Sequence, residues 1–166
     1  MITLTPKPLT RAAFAPYGDV IEKDGADHFP INNGTTERYH DLALVDVTGG
    51  KNGRVLISIC HAQPLIYPLD IQFVERHPLG SQAFIPTNNQ PFYLIVGIAG
   101  DDIKPETLKA FITNGKQGVN YHKGVWHHPI MAQGSACDFI VVDRGGDGDN
   151  CEEHHFKDDN IIFKPI

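Results

Sequence analysis

Apolar and β-branched residues along this chain come in short runs broken by Gly, Pro, Asn or Asp. That pattern predicts strands over residues 19–22, 39–47, 54–61, 65–75, 82–86, 92–99, 108–113, 121–126, 137–143 and 161–163. Several runs alternate apolar with polar positions, as a strand with one dry and one wet face does. Helical signals are few. Residues 9–17 (LTRAAFAPY) hold a turn or two, capped by Thr10 and stopped by Pro16 and Gly18. Residues 105–109 fit one helical turn and residues 151–157 (CEEHHFK) a short helix, while residues 23–34 are rich in Gly, Asp and Pro and read as a loop. So many short strands with so little helix predict an all-β fold, an antiparallel sandwich or closed barrel with a few short helices. A chain of 166 residues without repeats or a linker is expected to form a single domain, residues 1–166.

Composition narrows the partners. The 16 Gly and 12 Pro residues suit a turn-rich β fold. A formal charge of −6 disfavours nucleic acid and anionic membrane, both of which need clustered Lys and Arg. No window approaches the roughly 18 apolar residues of a membrane span, and the N-terminal MITLTPKP lacks the basic-then-apolar order of a signal peptide. Cys60, Cys137 and Cys151 match neither zinc spacing nor an even disulfide framework. Free thiols and no signal predict a cytoplasmic protein, with Cys60 and Cys137 buried in their apolar runs. The absence of GxGxxG or a phosphate loop predicts no nucleotide cofactor.

The chemistry-bearing residues fall in two segments, Phe73 to Pro86 (FVERHPLGSQAFIP) and Gly118 to Ile130 (GVNYHKGVWHHPI). Glu75 and His77 share a strand face by the period of two, and a turn at Pro78-Leu79-Gly80 returns Gln82 to the same place. In the second segment Tyr121, Lys123, Val125 and His127 share parity. His127 and His128 are adjacent, so only one of them points into a pocket. Taken singly, Lys123 and Arg76 read most simply as surface charges, Gln82 as structural, and Tyr121 as a core aromatic. Arg76 also has the wrong parity for a site on Glu75's face.

These segments resemble the paired cupin motifs. The usual His-x-His followed by Glu reads here as Glu75-x-His77-x4-Gln82, and the usual Pro-x-Gly-x2-His as His122-Lys123-Gly124-Val125-Trp126-His127. The runs ERHPLGSQAFIP, GVNYHKGVWHHPI, DFIVVDRG and TERYHDLALVDV resemble the ureidoglycolate lyase family over nearly the whole chain. The resemblance implies a homodimeric cupin-type enzyme of allantoin breakdown that cleaves (S)-ureidoglycolate to glyoxylate and urea, with nickel as its metal. A metal would be held by Glu75, His77, Gln82 and His127, two imidazoles with a carboxylate and an amide. For such chemistry His77 and His127 are candidates for the base or for ligands that acidify the hydroxyl. Tyr121 or His122 could supply a proton, Lys123 or Arg76 could hold the substrate carboxylate, and Gln82 could meet the ureido group. The competing readings are a metal-dependent cupin dioxygenase or isomerase, and a non-catalytic binder of small acids.

Overall fold

The computed structural model describes residues 1–157 and 160–165. Two sheets face each other. A five-stranded antiparallel sheet runs in the order Gly18–Ile21, Gly118–Tyr121, Gln82–Pro86, Cys137–Gly145, Arg54–Ala62. The facing sheet runs Glu152–His155, Phe73–Arg76, Trp126–His127, Phe92–Gly97, Lys109–Ile112, Lys7–Pro8, with Met131–Ala132 also paired to Phe92–Gly97. The expected all-β sandwich is what forms.

Side-chain alternation explains how Phe92–Gly97 in the facing sheet is dry on both sides. Phe92, Leu94 and Val96 point into the sandwich, where they meet Phe84, Val119, Tyr121, Phe139 and Val141 of the five-stranded sheet. Tyr93 and Ile95 point the other way, into a second core closed by Ile161 and Phe163. Those two belong to a three-stranded sheet, Ile2–Leu4, Ile161–Phe163 and Leu69–Asp70. A strand buried on both faces reads as a continuous apolar run, which is why FYLIVG lacks alternation. The helix is the single turn Arg11–Phe14, with Thr10 Oγ1 accepting from Ala13 N–H. No helix among the described residues is long and apolar enough to cross a membrane.

Several expectations are corrected. Residues 40–47 form no strand. Their polar backbone is met by side chains instead, Leu44 N–H donating to Asp19 and Asp46 N–H to Ser81 Oγ. The loop expected at 23–34 contains half of a hairpin, His28–Ile31 with Thr36–Tyr39, most of whose residues are exposed. The expected strand 121–126 is split by a turn, with Gly124 at φ +78°. That turn separates Gly118–Tyr121 in one sheet from Trp126–His127 in the other. Residues 65–75 are likewise interrupted, and the helix expected at 151–157 is the strand Glu152–His155. Cys137 is buried as expected, but Cys60 is exposed because Arg54–Ala62 is a sheet edge.

Candidate active site

The turn at residues 122–125 brings the two sequence segments together. Its Gly124 N–H donates to the His77 carbonyl at 2.9 Å, and the chain then pairs with Phe73–Arg76 so that His127 lies directly opposite Glu75. Trp126 points into the outer core, and His127 points inward beneath Tyr121. The imidazole and phenol rings stack at 4.2 Å with 8° between planes. Gln82 pairs with Tyr121 on the neighbouring strand and completes the group.

The ring nitrogens decide what this group can do. His77 Nδ1 lies 2.7 Å from the Asn150 carbonyl and His127 Nδ1 3.0 Å from the Val125 carbonyl, so each donates outward from Nδ1. A neutral imidazole then carries a bare lone pair on Nε2. Both Nε2 atoms point at acceptors. His127 Nε2 sits 3.5 Å and His77 Nε2 3.9 Å from Glu75 Oε1, and His77 Nε2 lies 3.0 Å from Gln82 Oε1. Among the described residues, His127 Nε2 is buried without a hydrogen-bond partner. In the ladder Glu153 lies directly opposite Glu75, placing like charges across from one another. The two Nε2 atoms, Glu75 Oε1 and Gln82 Oε1 converge on one place, where a shared proton or a metal cation would meet them together. Among the described residues, Glu75, His77 and His127 are the one His/Cys/Asp/Glu group whose ligating atoms gather closely enough, within 4.8 Å, to hold a metal. The donor set therefore fits a divalent cation of intermediate softness.

Electrostatics agree with that assignment. His127 draws the Glu75 carboxyl below the usual carboxylate range, over the opposing effect of burial. Burial pushes the His127 imidazole below its ordinary value and keeps it neutral. Burial, with the Glu75 charge nearby, drives the Tyr121 phenol far up. Its hydroxyl stays protonated, and among the described residues it is buried without a hydrogen-bond partner. The side chains of Glu75, His77 and His127 are 23%, 14% and 2% exposed, so the group opens to solvent at Glu75 and His77 and closes at His127.

The other sequence candidates lie outside this ring. Arg76 stacks on Trp126, is ion-paired to Glu152 at 2.6 Å and donates to the Gly100 carbonyl, all on the opposite face of its strand. His122 Nε2 meets Asp19 at 3.0 Å, beside a separate cleft of about 420 Å³ lined by Arg11, Asp19 and His40. Lys123 Nζ is half-exposed and 3.4 Å from Asp46. His128 turns back on the Pro129 carbonyl. Two contributors escape the motif reading. Asn150 fixes the His77 tautomer, and Asp143 accepts from Gln82 Nε2 at 3.3 Å. Asp143 had a signal: it extends the inward-facing series Cys137, Phe139, Val141, where a charge is out of place on an apolar face.

Comparison with known proteins converges on one group. A family model described as ureidoglycolate lyase matches residues 1–163. A ureidoglycolate lyase of Pseudomonas fluorescens is 54% identical over 166 residues, covering 99% of each chain. Another, from Pseudomonas aeruginosa, is 55% identical over 166 residues, covering 99% of this chain and 98% of its own.

Proposed function

Because the chain belongs to the ureidoglycolate lyase family, we propose that its Glu75–His77–Gln82–His127 centre cleaves (S)-ureidoglycolate to glyoxylate and urea by base-assisted elimination. The enzyme is a lyase, and its substrate is a small molecule. No observation favours the dioxygenase, isomerase or binding-module readings. The observation that carries the chemistry is the inward convergence of four acceptors with the outer ring nitrogens already committed to carbonyls.

Ureidoglycolate bears a hydroxyl, a carboxylate and a urea nitrogen on one carbon. Elimination removes the hydroxyl proton, forms the carbonyl, breaks the carbon–nitrogen bond and returns a proton to the departing nitrogen. Glu75, His77, Gln82 and His127 would hold a divalent cation, nickel by family resemblance, which lowers the pKa of a hydroxyl bound to it. Glu75 divides its oxygens. Oε1 faces the imidazoles, and Oε2 faces the rim, 3.9 Å from Cys151 Sγ. Oε2 takes the hydroxyl proton and gives it back to the urea nitrogen, so the proton count balances. The Tyr121 hydroxyl, held protonated by burial, acts only as a hydrogen-bond donor to charge developing on the substrate. Lys123 reaches the substrate carboxylate in exchange for its exposed pairing with Asp46. Arg76 and His122 have partners of their own, on the opposite strand face and beside the Asp19 cleft.

The sandwich as a cupin-type barrel, a cytoplasmic setting and a homodimer complete the reading. Dimerisation is supported by the outer face of the five-stranded sheet. Residues near Leu44 and Asp46 cover one part of it, through Leu44 N–H on Asp19, Asn120 on the Leu44 carbonyl and Asp46 on Ser81. The part formed by Arg54–Ala62 leaves Val55, Ile57 and Ile59 exposed, with Ile140 beside Ile59. A sheet face so apolar is expected to be covered by a second copy.

One set of assays on nickel-loaded protein tests this reading. Racemic ureidoglycolate should yield urea and glyoxylate one to one, from the S enantiomer, without ammonia. Ammonia in place of urea contradicts it. Lys123→Ala should raise KM by about 10-fold and leave kcat within about 3-fold, the signature of a lost charged contact to the ground state and transition state alike. Light scattering should give twice the 18.3 kDa chain mass.

A further inference from the structure

The Gln82 amide is oriented against its local preference, and one residue accounts for it. Gln82 Oε1 faces His77 Nε2 at 3.0 Å, although His77 Nδ1 already donates to the Asn150 carbonyl. In the Nδ1–H tautomer that the Asn150 contact selects, Nε2 is an acceptor, so the amide oxygen faces another acceptor. Turning the amide over would place its NH2 group there and form an ordinary hydrogen bond. The opposite end of the amide explains why it does not turn. Gln82 Nε2 donates to Asp143 Oδ2 at 3.3 Å. A turned amide would aim its oxygen at that carboxylate.

Asp143 sits on the inward face of Cys137–Gly145 by strand parity, following Cys137, Phe139 and Val141. Among the described residues its other oxygen, Oδ1, is buried without a hydrogen-bond partner, and the side chain's one hydrogen bond is from Gln82.

We infer that Asp143 is a positioning residue that locks the Gln82 amide with its oxygen inward, and so keeps both Gln82 Oε1 and His77 Nε2 free as acceptors for the divalent cation. The inference rests on the cation reading of the Glu75–His77–Gln82–His127 centre. Its consequence is larger than the loss of one contact. A turned amide withdraws its own oxygen and also caps the His77 lone pair, which removes two of four donors together. Asp143 thus acts on the centre without touching the cation, as residues behind metal ligands commonly do.

The test uses Co²⁺ as the probe, read by calorimetry and by the visible absorption of the bound ion, with the melting temperature of the metal-free protein taken alongside. In Asp143→Asn the amide can pair in either sense, and the turned form gains the His77 hydrogen bond. Co²⁺ affinity should fall by about 10- to 100-fold, the range for substitutions behind a metal ligand, with the metal-free melting temperature near that of the parent. Adding Gln82→Glu to Asp143→Asn should restore affinity to within a few-fold. A carboxylate at position 82 has no nitrogen end to turn inward, and it accepts from the amide that Asp143→Asn introduces. A merely structural Asp143 would lower the melting temperature and would not be rescued by this swap. Parental affinity in Asp143→Asn, or a double variant no better than the single one, overturns the inference alone. Wild-type protein that binds no Co²⁺ overturns the cation reading and the inference with it.

Discussion

Replacing His127 by alanine should lower kcat/KM for ureidoglycolate by about 10³-fold or more, the largest single loss expected anywhere in the chain. The substitution removes one of two imidazoles from the centre and the ring on which Tyr121 stacks, and it leaves Glu75 without the partner that stabilises its charge. Steady-state kinetics of urea release measure it. His128→Ala is the matched control. His128 adjoins His127 in sequence but turns to the Pro129 carbonyl, so its removal should change kcat/KM by no more than a few-fold. Equal losses in both variants would contradict the assignment.

The same residue sets a pH dependence. Burial lowers the His127 pKa in the folded protein, so below the ordinary imidazole value of about 6.5 the unfolded chain takes up a proton that the folded chain does not. This group costs no stability above about 6.5 and destabilises progressively below it, until pH reaches the depressed folded value. The lone pair survives over that window, so the acid limb of kcat/KM should lie below about 6.5. A wild-type melting temperature that falls between about pH 6.5 and 5, relative to His127→Gln, is the matching observation.

Phe139→Ala should destabilise the protein by about 3–5 kcal/mol, the range for emptying a large aromatic site in a packed core. Phe139 has no exposed surface and packs edge-on against Phe92 of the facing sheet at 5.0 Å and against Phe84 beside it at 6.0 Å. It therefore joins the two sheets at the centre of the sandwich, and the void left by alanine has rigid strands on both sides. Guanidinium unfolding followed by circular dichroism reads the loss, and a change below about 1 kcal/mol would mean that the sheets are not joined there. Catalytic parameters of the folded fraction should change far less than in His127→Ala.

The sequence made the strands legible wherever one face or both are dry. Gln82–Pro86 and Ile161–Phe163 form at the positions their apolar runs predict, because burial enforces the pattern. The hairpin His28–Ile31 with Thr36–Tyr39 was hidden because most of its residues are exposed and carry no period. Residues 40–47 misled in the other direction. Their apolar LALV run reads as a strand, yet side chains of Asp19 and Ser81 meet backbone N–H groups where a ladder was expected. At the site, Glu75 and His77 were readable from their shared strand parity, and Gln82 and His127 from the resemblance to the paired cupin motifs. The structure brings all four together. What spacing could not give was where the chain breaks. The turn at Gly124 cancels the parity of Lys123 with His127, which leaves Lys123 paired with Asp46. Asn150 was out of reach for another reason, since it acts through His77 across a contact distant in sequence, while Asp143 showed itself only as a charge continuing an inward apolar series.

Nickel-edge X-ray absorption on loaded protein tests the convergence of the four side chains most directly. The geometry predicts about one ion per chain, with two imidazoles and oxygen donors around it and no sulfur, and an imidazole signal that disappears in the His77→Ala/His127→Ala double variant. A nickel shell without imidazole, or one that the double variant leaves unchanged, would contradict it.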